Sequence, residues 1–199
     1  MTEKNNFPII AYFDGACEPF NPGGVATWGV VIFKGDQIDH KDCGIACAPY
    51  TPQATNNYAE YTALIKALEF CLEKNFLNLV VKGDSQLVIR QMNGQYAVRS
   101  SNIIPLYRQA EAFAKKFVSI KFYWVPRGKN FLADEMSKKA YQDYLNSHKE
   151  EILMPFGKHK GRPLFEVAKT DRQYLQWLIK QQNIRQELIE CISLYLEQK

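Results

Sequence analysis

The sequence is short of the residues that would tie it to several protein classes. Its five cysteines, Cys17, Cys43, Cys47, Cys71 and Cys191, form an odd set without a CxxC pair. That pattern argues against a disulfide framework and against a zinc site, and the Cys43/Cys47 spacing reads as two half-buried thiols. No apolar run reaches the length of a membrane-spanning helix, and polar Met1–Asn6 does not read as a secretory signal. Charge of one sign is scarce as well: a net +4 permits a nucleic-acid partner without requiring one. Internal repeats and low-complexity tracts are missing. What these absences leave is a globular chain of one domain, or one plus a small module, in a reducing, cytoplasmic setting. With 199 residues, 46% of them hydrophobic, it has ample material for a core.

What is present is organised around Pro8–Cys17, an apolar run of strand character that ends in Asp14-Gly15. At period 2, Ile10, Tyr12 and Asp14 share a face, so a carboxylate continues a line of bulky apolar groups. A charge there is costly unless something neutralises it. The turn cluster Glu18–Gly24 follows, then strands over Ala26–Lys34 and His40–Ala48, an expected antiparallel meander. Thr55–Lys74 is the clearest helix, with Thr55 or Asn56 as its cap. Further on, strands are predicted over Leu79–Asp84 and Ser119–Val125, and helices over Ser85–Met92, Ile103–Phe117 and Phe131–Leu145. That alternation implies parallel pairings after the meander.

Three more acids sit in settings comparable to that of Asp14. Glu60 heads the apolar stripe Leu64, Ala67, Leu68 and Cys71 of its helix. Asp84 ends a strand and starts a helix, where functional groups of open α/β sheets gather. Asp134 follows Asn130 by one turn. Each has a plain structural alternative: a turn for Asp14, a first-turn acid for Glu60, an N-cap for Asp84, and a helix-surface acid for Asp134. Together they favour a shared site. Four converging carboxylates repel one another, and a hard divalent cation relieves that repulsion. Two such ions about 4 Å apart suit phosphodiester hydrolysis.

Asp14-Gly15-Ala16-Cys17 with Asn21-Pro22-Gly23-Gly24, then Thr55–Glu60, Gly83–Val88 and Ala133-Asp134, resemble type 1 ribonuclease H, over roughly Pro8–Leu145. The resemblance implies an α/β fold, a ribonuclease H-like five-stranded mixed sheet flanked by helices. It implies an endonuclease hydrolysing the RNA strand of RNA–DNA hybrids with two Mg²⁺ ions (or Mn²⁺), leaving 5′-phosphate and 3′-hydroxyl ends. It makes Asp14, Glu60, Asp84 and Asp134 the metal ligands. It makes Asn21, Thr55, Asn56, Asn57 and Gln86 groove contacts, amides and a hydroxyl able to read a 2′-OH. Two features depart from the common pattern. The loop Val125–Ala133 before Asp134 has no His, leaving Arg127 or Lys129 to do its work, or the work undone. Asn93–Asn102 carries only Arg99 where many relatives insert a basic, Trp-bearing protrusion, which resembles the archaeal-type branch.

The last stretch is different. Phe156–Leu164 with Tyr174–Leu178 resembles the small C-terminal domain of exonuclease-X-like proteins. Residues 152–199 carry eight Lys/Arg against five Asp/Glu, most of the chain's net charge. The reading is a catalytic domain over 1–145, a linker at 146–151 and a small, mainly helical C-terminal domain over 152–199, with helices at Arg172–Gln181 and Ile184–Glu197. Lys158, Lys160 and Arg162, flanked by glycines, are candidate phosphate contacts, set against a docking or purely stabilising role. His159 reads as a surface residue. Expected partners are an RNA–DNA hybrid, with double-stranded RNA as a second candidate, no membrane, and a monomeric chain. The rivals are a non-catalytic hybrid- or duplex-RNA-binding module and a transposase- or exonuclease-like enzyme on the same carboxylate plan.

Overall fold

The structure is a computed structural model that describes residues 8–148 and 152–196. Five strands, β1 (Ile9–Glu18), β2 (Val25–Lys34), β3 (Gln37–Ile45), β4 (Asn78–Gly83) and β5 (Ser119–Trp124), form one sheet in the order β3-β2-β1-β4-β5. The meander β1-β2-β3 is antiparallel, and β4 and β5 add in parallel on the other side of β1. The expected five-stranded mixed sheet is therefore what forms. Strand β1 lies at its centre, so its carboxyl end sits beside that of β4. The register pairs Phe13 with Gly83, one residue before each of the two aspartates.

Helix α1 (Asn56–Glu73) is capped by Thr55, whose hydroxyl accepts from the Tyr58 N–H at 3.1 Å. Its stripe Leu64, Ala67, Leu68 and Cys71 is fully buried against Ala11 and Phe13 of β1. Helix α2 (Gln86–Met92) is short, and α3 (Ile104–Ala114) packs on α1. Helix α4 (Phe131–Ser147) covers the opposite face of the sheet, so β2 is buried along nearly its whole length. Two glycines allow this close layering. A Cβ on Gly15 would sit 2.2 Å from the Glu60 backbone nitrogen, and one on Gly29 would sit 2.4 Å from the Ser137 nitrogen. Any larger residue would push α1 or α4, and the acids they carry, off the sheet.

Three helices follow, α5 (Leu164–Thr170), α6 (Arg172–Leu178) and α7 (Gln186–Leu196); the sequence reading missed α5. Leu153 and Pro163 pair in an isolated antiparallel bridge that closes the basic loop. These helices share a core with the sheet side: Leu175, Leu188 and Ile192 pack with Val25, Tyr141, Tyr144 and Leu145. The expected linker needs a correction at its start, because Asn146 and Ser147 complete the last turn of α4. Residues 149–151 of that stretch, like 1–7 and 197–199, lie outside the described residues. All five cysteines are free, and among the described residues no helix is long and apolar enough to cross a membrane.

Candidate active site

The fold brings three of the four expected acids together. Asp14 ends the buried part of β1, Asp84 follows β4, and Glu60 reaches in from α1. Carboxylate oxygens of the three lie within 4.8 Å of one another. Each is held by a different device. The Ser137 hydroxyl of α4 donates to Asp14 Oδ2. The Asn130 amide donates to Asp84 Oδ1 at 2.6 Å and to the Phe13 carbonyl at 2.9 Å, tying the ends of β1 and β4 together. The Gly15 N–H donates to the Glu60 carboxylate. The plain alternative for Asp84 is set aside by its neighbour: Ser85 takes the cap of α2, accepting from the Val88 N–H at 3.5 Å. Strand β1 continues through Asp14 to Glu18, so there is no turn there either.

Asp134 stands differently. It lies on the first turn of α4, outside the close group. Arg127 binds its Oδ1 and Lys138 its Oδ2, both at 2.7 Å. Burial pulls the Asp134 carboxyl up, but these two cations outweigh it and hold it below its ordinary range. In the close group Arg127 also pulls downward, but burial outweighs it. Burial pushes Asp14 up to about 6, with the charges of Asp84 and Asp134 adding to it against the Ser137 hydrogen bond. Burial, then the charges of Asp14 and Asp84, drive Glu60 well above the carboxylate range. Glu60 Oε2 is buried with no hydrogen-bond partner among the described residues. Three crowded carboxylates, with Asp14 and Glu60 desolvated and one oxygen orphaned, form a hard-oxygen donor set of the kind Mg²⁺ takes.

Of the expected groove residues, Asn21, Thr55 and Asn56 sit together, and each also serves the backbone. Asn56 Oδ1 accepts from the Cys17 N–H at 2.7 Å, Asn21 Oδ1 accepts from the Asn56 N–H at 3.1 Å, and Thr55 caps α1. Asn57 and Gln86 are exposed at the starts of α1 and α2. In the C-terminal loop, Lys158 and the half-buried His159 both pair with Asp171, at 2.5 and 2.9 Å, and Arg162 lies 3.7 Å from Glu166. His159 is thus an anchored residue, packed edge-on to Tyr174, and not a free surface one. Lys160 is exposed. It lines a groove of 460 Å³ opposite Phe20, Pro22 and Gly23, the turn that carries Asn21.

Sequence reasoning missed three residues here. Asn130 and Ser137 position Asp84 and Asp14, and the Trp124 indole N–H donates to the Asp84 carbonyl at 3.0 Å. A faint signal existed for Ser137, one turn beyond Asp134 on the same helix face. None existed for Asn130, whose partners are far away in the chain.

Residues 13–140 match the family model described as reverse transcriptase-like, and residues 154–183 match the exodeoxyribonuclease X-like C-terminal model. The chain resembles the solved RNase H1 from the halophilic archaeon Halobacterium salinarum at 32% identity and a TM-score of 0.62, covering 68% of this chain and 98% of that one. It resembles LC11-RNase H1, solved in complex with an RNA/DNA hybrid, at 34% identity and a TM-score of 0.61, covering 69% of this chain and 99% of that one. A curated relative, the bifunctional protein Rv2228c of Mycobacterium tuberculosis, is 36% identical over 120 residues, 60% of this chain. The chain spans about a third of the length of that relative (32%). The chain therefore belongs to the reverse transcriptase-like family, on a ribonuclease H fold, together with the ribonuclease H1 proteins it resembles.

Proposed function

We propose that the chain is an endoribonuclease that hydrolyses the RNA strand of RNA–DNA hybrids with two Mg²⁺ ions, for which Mn²⁺ can substitute, leaving 5′-phosphate and 3′-hydroxyl ends. The observation that carries this reading is the convergence of Asp14, Glu60 and Asp84 with the orphaned Glu60 oxygen. A module that only bound nucleic acid would gain nothing from three unpaired acids facing phosphate. The likeness to an RNase H1 solved with an RNA/DNA hybrid supports the substrate class.

Asp14, Glu60, Asp84 and Asp134 would hold the ions, which when bound supply Lewis acidity at the phosphate oxygens and a more acidic water. Everything else is done by the chain itself. Ser137 and Asn130 fix the directions of Asp14 and Asp84, so the oxygens need not reorganise on binding. Arg127 and Lys138 keep Asp134 ionised and in place. Arg127 thus stands in the loop where many relatives carry a His and this sequence has none. Asn21, Thr55, Asn56, Asn57 and Gln86 face the minor groove, where the carboxamide N–H groups left over by Asn21 and Asn56 can donate to a 2′-OH. Lys160 continues that surface toward the backbone, while Lys158 and Arg162 are held by acids of their own unit. The same reading keeps a catalytic domain over 1–145 and a C-terminal domain from 152 docked on α4.

A labelled hybrid incubated with Mg²⁺, beside DNA and RNA duplexes and an EDTA control, tests the reading. Cleavage of the hybrid RNA strand only, and only with metal, is expected. Binding of the hybrid without cleavage would instead favour the non-catalytic module.

A further inference from the structure

Among the described residues of the C-terminal domain, the most exposed aromatic ring is Trp177 of α6, at 54%. Phe156, which opens the basic loop, is 40% exposed. Tyr174 links the two. Its ring lies 5.8 Å from that of Trp177, tilted by 32°. Its hydroxyl touches Gly157, the residue after Phe156, so closely that a Cβ there would come within 2.2 Å. Gly157 has φ +76°, so glycine suits both the space and the backbone. Tyr174 is itself fixed, with Lys158 Nζ 4.9 Å from its ring centre and His159 edge-on at 5.1 Å. A held ring backs Trp177, so little freedom is left for a ligand to remove.

The setting of Trp177 is polar and free of uncompensated acid. Its neighbours one turn away along α6 are Gln173 and Lys180, both exposed. From Arg172 to Gln186 the chain has no Asp or Glu. The acids that come before, Glu166 and Asp171, each have a cation: Arg162 at 3.7 Å from the first, Lys158 at 2.5 Å from the second. Lys180 has no ion pair among the described residues, so its charge is unspent. An aliphatic partner would gain little from a single flat ring between an amide and an ammonium. A nucleobase with its phosphate matches all three groups.

We propose that Trp177 is a stacking platform for an unpaired base of a nucleic-acid strand, with Lys180 on the adjoining phosphate and Phe156 as a second ring. Every base has a π face, so such stacking tolerates any sequence. In a duplex those faces are covered by the neighbouring base pairs. The occupant is therefore a single-stranded stretch, DNA or RNA, and not the body of a hybrid. The platform is distinct from the groove contacts and from the Lys160 contact given above. It does not rest on the nuclease reading, because stacking on α6 needs neither the carboxylates nor a metal.

The test titrates the full chain, in EDTA, into labelled DNA and RNA single strands of about 12 nucleotides, within the reach of one small binding module, and reads fluorescence anisotropy. A blunt hybrid of the same length is the comparison. Because EDTA removes metal, a failure of the nuclease reading leaves this measurement intact. Trp177→Ala should weaken single-strand binding about tenfold, one stacked base's worth, while Trp177→Phe keeps most of it. Binding of the blunt hybrid should change far less. Lys180→Ala should lower the slope of log affinity against log salt for single strands by about 0.7. Trp177 is half exposed, so thermal unfolding of Trp177→Ala should stay near that of the parent. Should that variant fail to fold, Trp177→Phe and Lys180→Ala still carry the test. A folded Trp177→Ala protein that binds single strands as tightly as the parent overturns the proposal. So does an equal loss for single strand and blunt hybrid, which would make the surface a duplex contact. Absence of single-strand binding at about 0.1 mM chain, the weak end of non-specific affinity, overturns it as well and leaves the ring to a protein partner.

Discussion

At the carboxyl ends of β1 and β4, Asp14, Glu60 and Asp84 crowd within 4.8 Å, and none of them has an ion pair among the described residues. In the C-terminal loop, Lys158 and His159 share Asp171, and Arg162 lies by Glu166. The first gathers charge of one sign from distant parts of the chain, and the second already concentrates it in the sequence. Only the first leaves that charge uncompensated in the fold. The second spends it on its own architecture, and Asp171 also caps α6. Density of charge along the chain therefore says less about a ligand site than whether the fold has already neutralised it. Exposed pairs of the second kind contribute little, about 0–1 kcal/mol each. Uncompensated buried carboxylates destabilise the metal-free protein until a ligand arrives.

The largest expected effect sharpens this contrast. Asp14→Asn should remove at least about nine-tenths of hybrid cleavage, a barrier of roughly 1.4 kcal/mol or more. It should also stabilise the metal-free protein, because a repelling buried charge is gone. A variant retaining more than about a tenth of the rate sinks the metal-ligand role of Asp14. Stability against pH reads the same crowding. Asp14 holds its proton more tightly folded than unfolded, up to about 6 against an ordinary 3.8. Its contribution is therefore fully present below about pH 4 and lost as pH rises through about 6, on the order of 3 kcal/mol. Urea unfolding in EDTA should show the loss in the parent and a flatter profile in Asp14→Asn. With saturating Mg²⁺ the parent should regain stability at neutral pH.

A second prediction asks whether the C-terminal unit is a tethered appendage or part of the core. Ile192 of α7 is fully buried in the cluster that holds Val25, Tyr144 and Leu145. Ile192→Ala should cost about 2–5 kcal/mol, in a single cooperative transition with the catalytic domain. Two transitions, with cleavage surviving the first, would separate the units. The same packing makes deletion of 152–199 a poor test of a substrate grip, since it would strip cover from Val25, Tyr141 and Leu145.

Asn130→Ala should come next. The amide bridging Asp84 to the Phe13 carbonyl is lost, so Asp84 gains freedom while remaining present. A positioning role predicts a rise of about 10–100-fold in the Mg²⁺ concentration needed for half-maximal cleavage. A lower rate at every Mg²⁺ concentration, with the midpoint unmoved, would mean that Asn130 acts in some other way.

What could be read beforehand follows from how local each cause is. The strand run ending in Asp14, the Thr55 cap and the stripe Leu64–Cys71 are short-range patterns, and they gave α1 and four of the strands to within a residue or two; β3, expected over His40–Ala48, starts and ends earlier, at Gln37–Ile45. Asp14, Glu60 and Asp84 were legible because each breaks its own local pattern. Asn130 and Ser137 break none, and their partners lie 46 and 123 residues away. The basic loop misled for the same reason: Asp171, which neutralises two of its groups, is on the far side of α5. Helix α5 itself was hidden by the Pro163 start and by seven residues too few to show a period.

The smallest effect bears most directly on the contrast between compensated and uncompensated charge. Lys158, Lys160 and Arg162 look equivalent in sequence, three cations within five residues. In the fold, Lys158 is bound to Asp171 and Arg162 lies near Glu166, while Lys160 faces the groove beside the Asn21 turn. If compensation decides which charge meets a ligand, only Lys160 contacts a phosphate. Lys160→Ala should then lower the slope of log affinity against log salt by about 0.7–0.9, one contact's worth. Its kcat should be unchanged, because binding lost equally from ground and transition states leaves the chemical step alone. Lys158→Ala should leave the salt slope as it was. Hybrid affinity measured for both variants across a salt series, without divalent cation, makes the comparison. Equal drops in slope for Lys158→Ala and Lys160→Ala would show that an ion pair at this exposure does not withhold a cation from phosphate. An unchanged slope for Lys160→Ala would remove the C-terminal loop from the nucleic-acid surface.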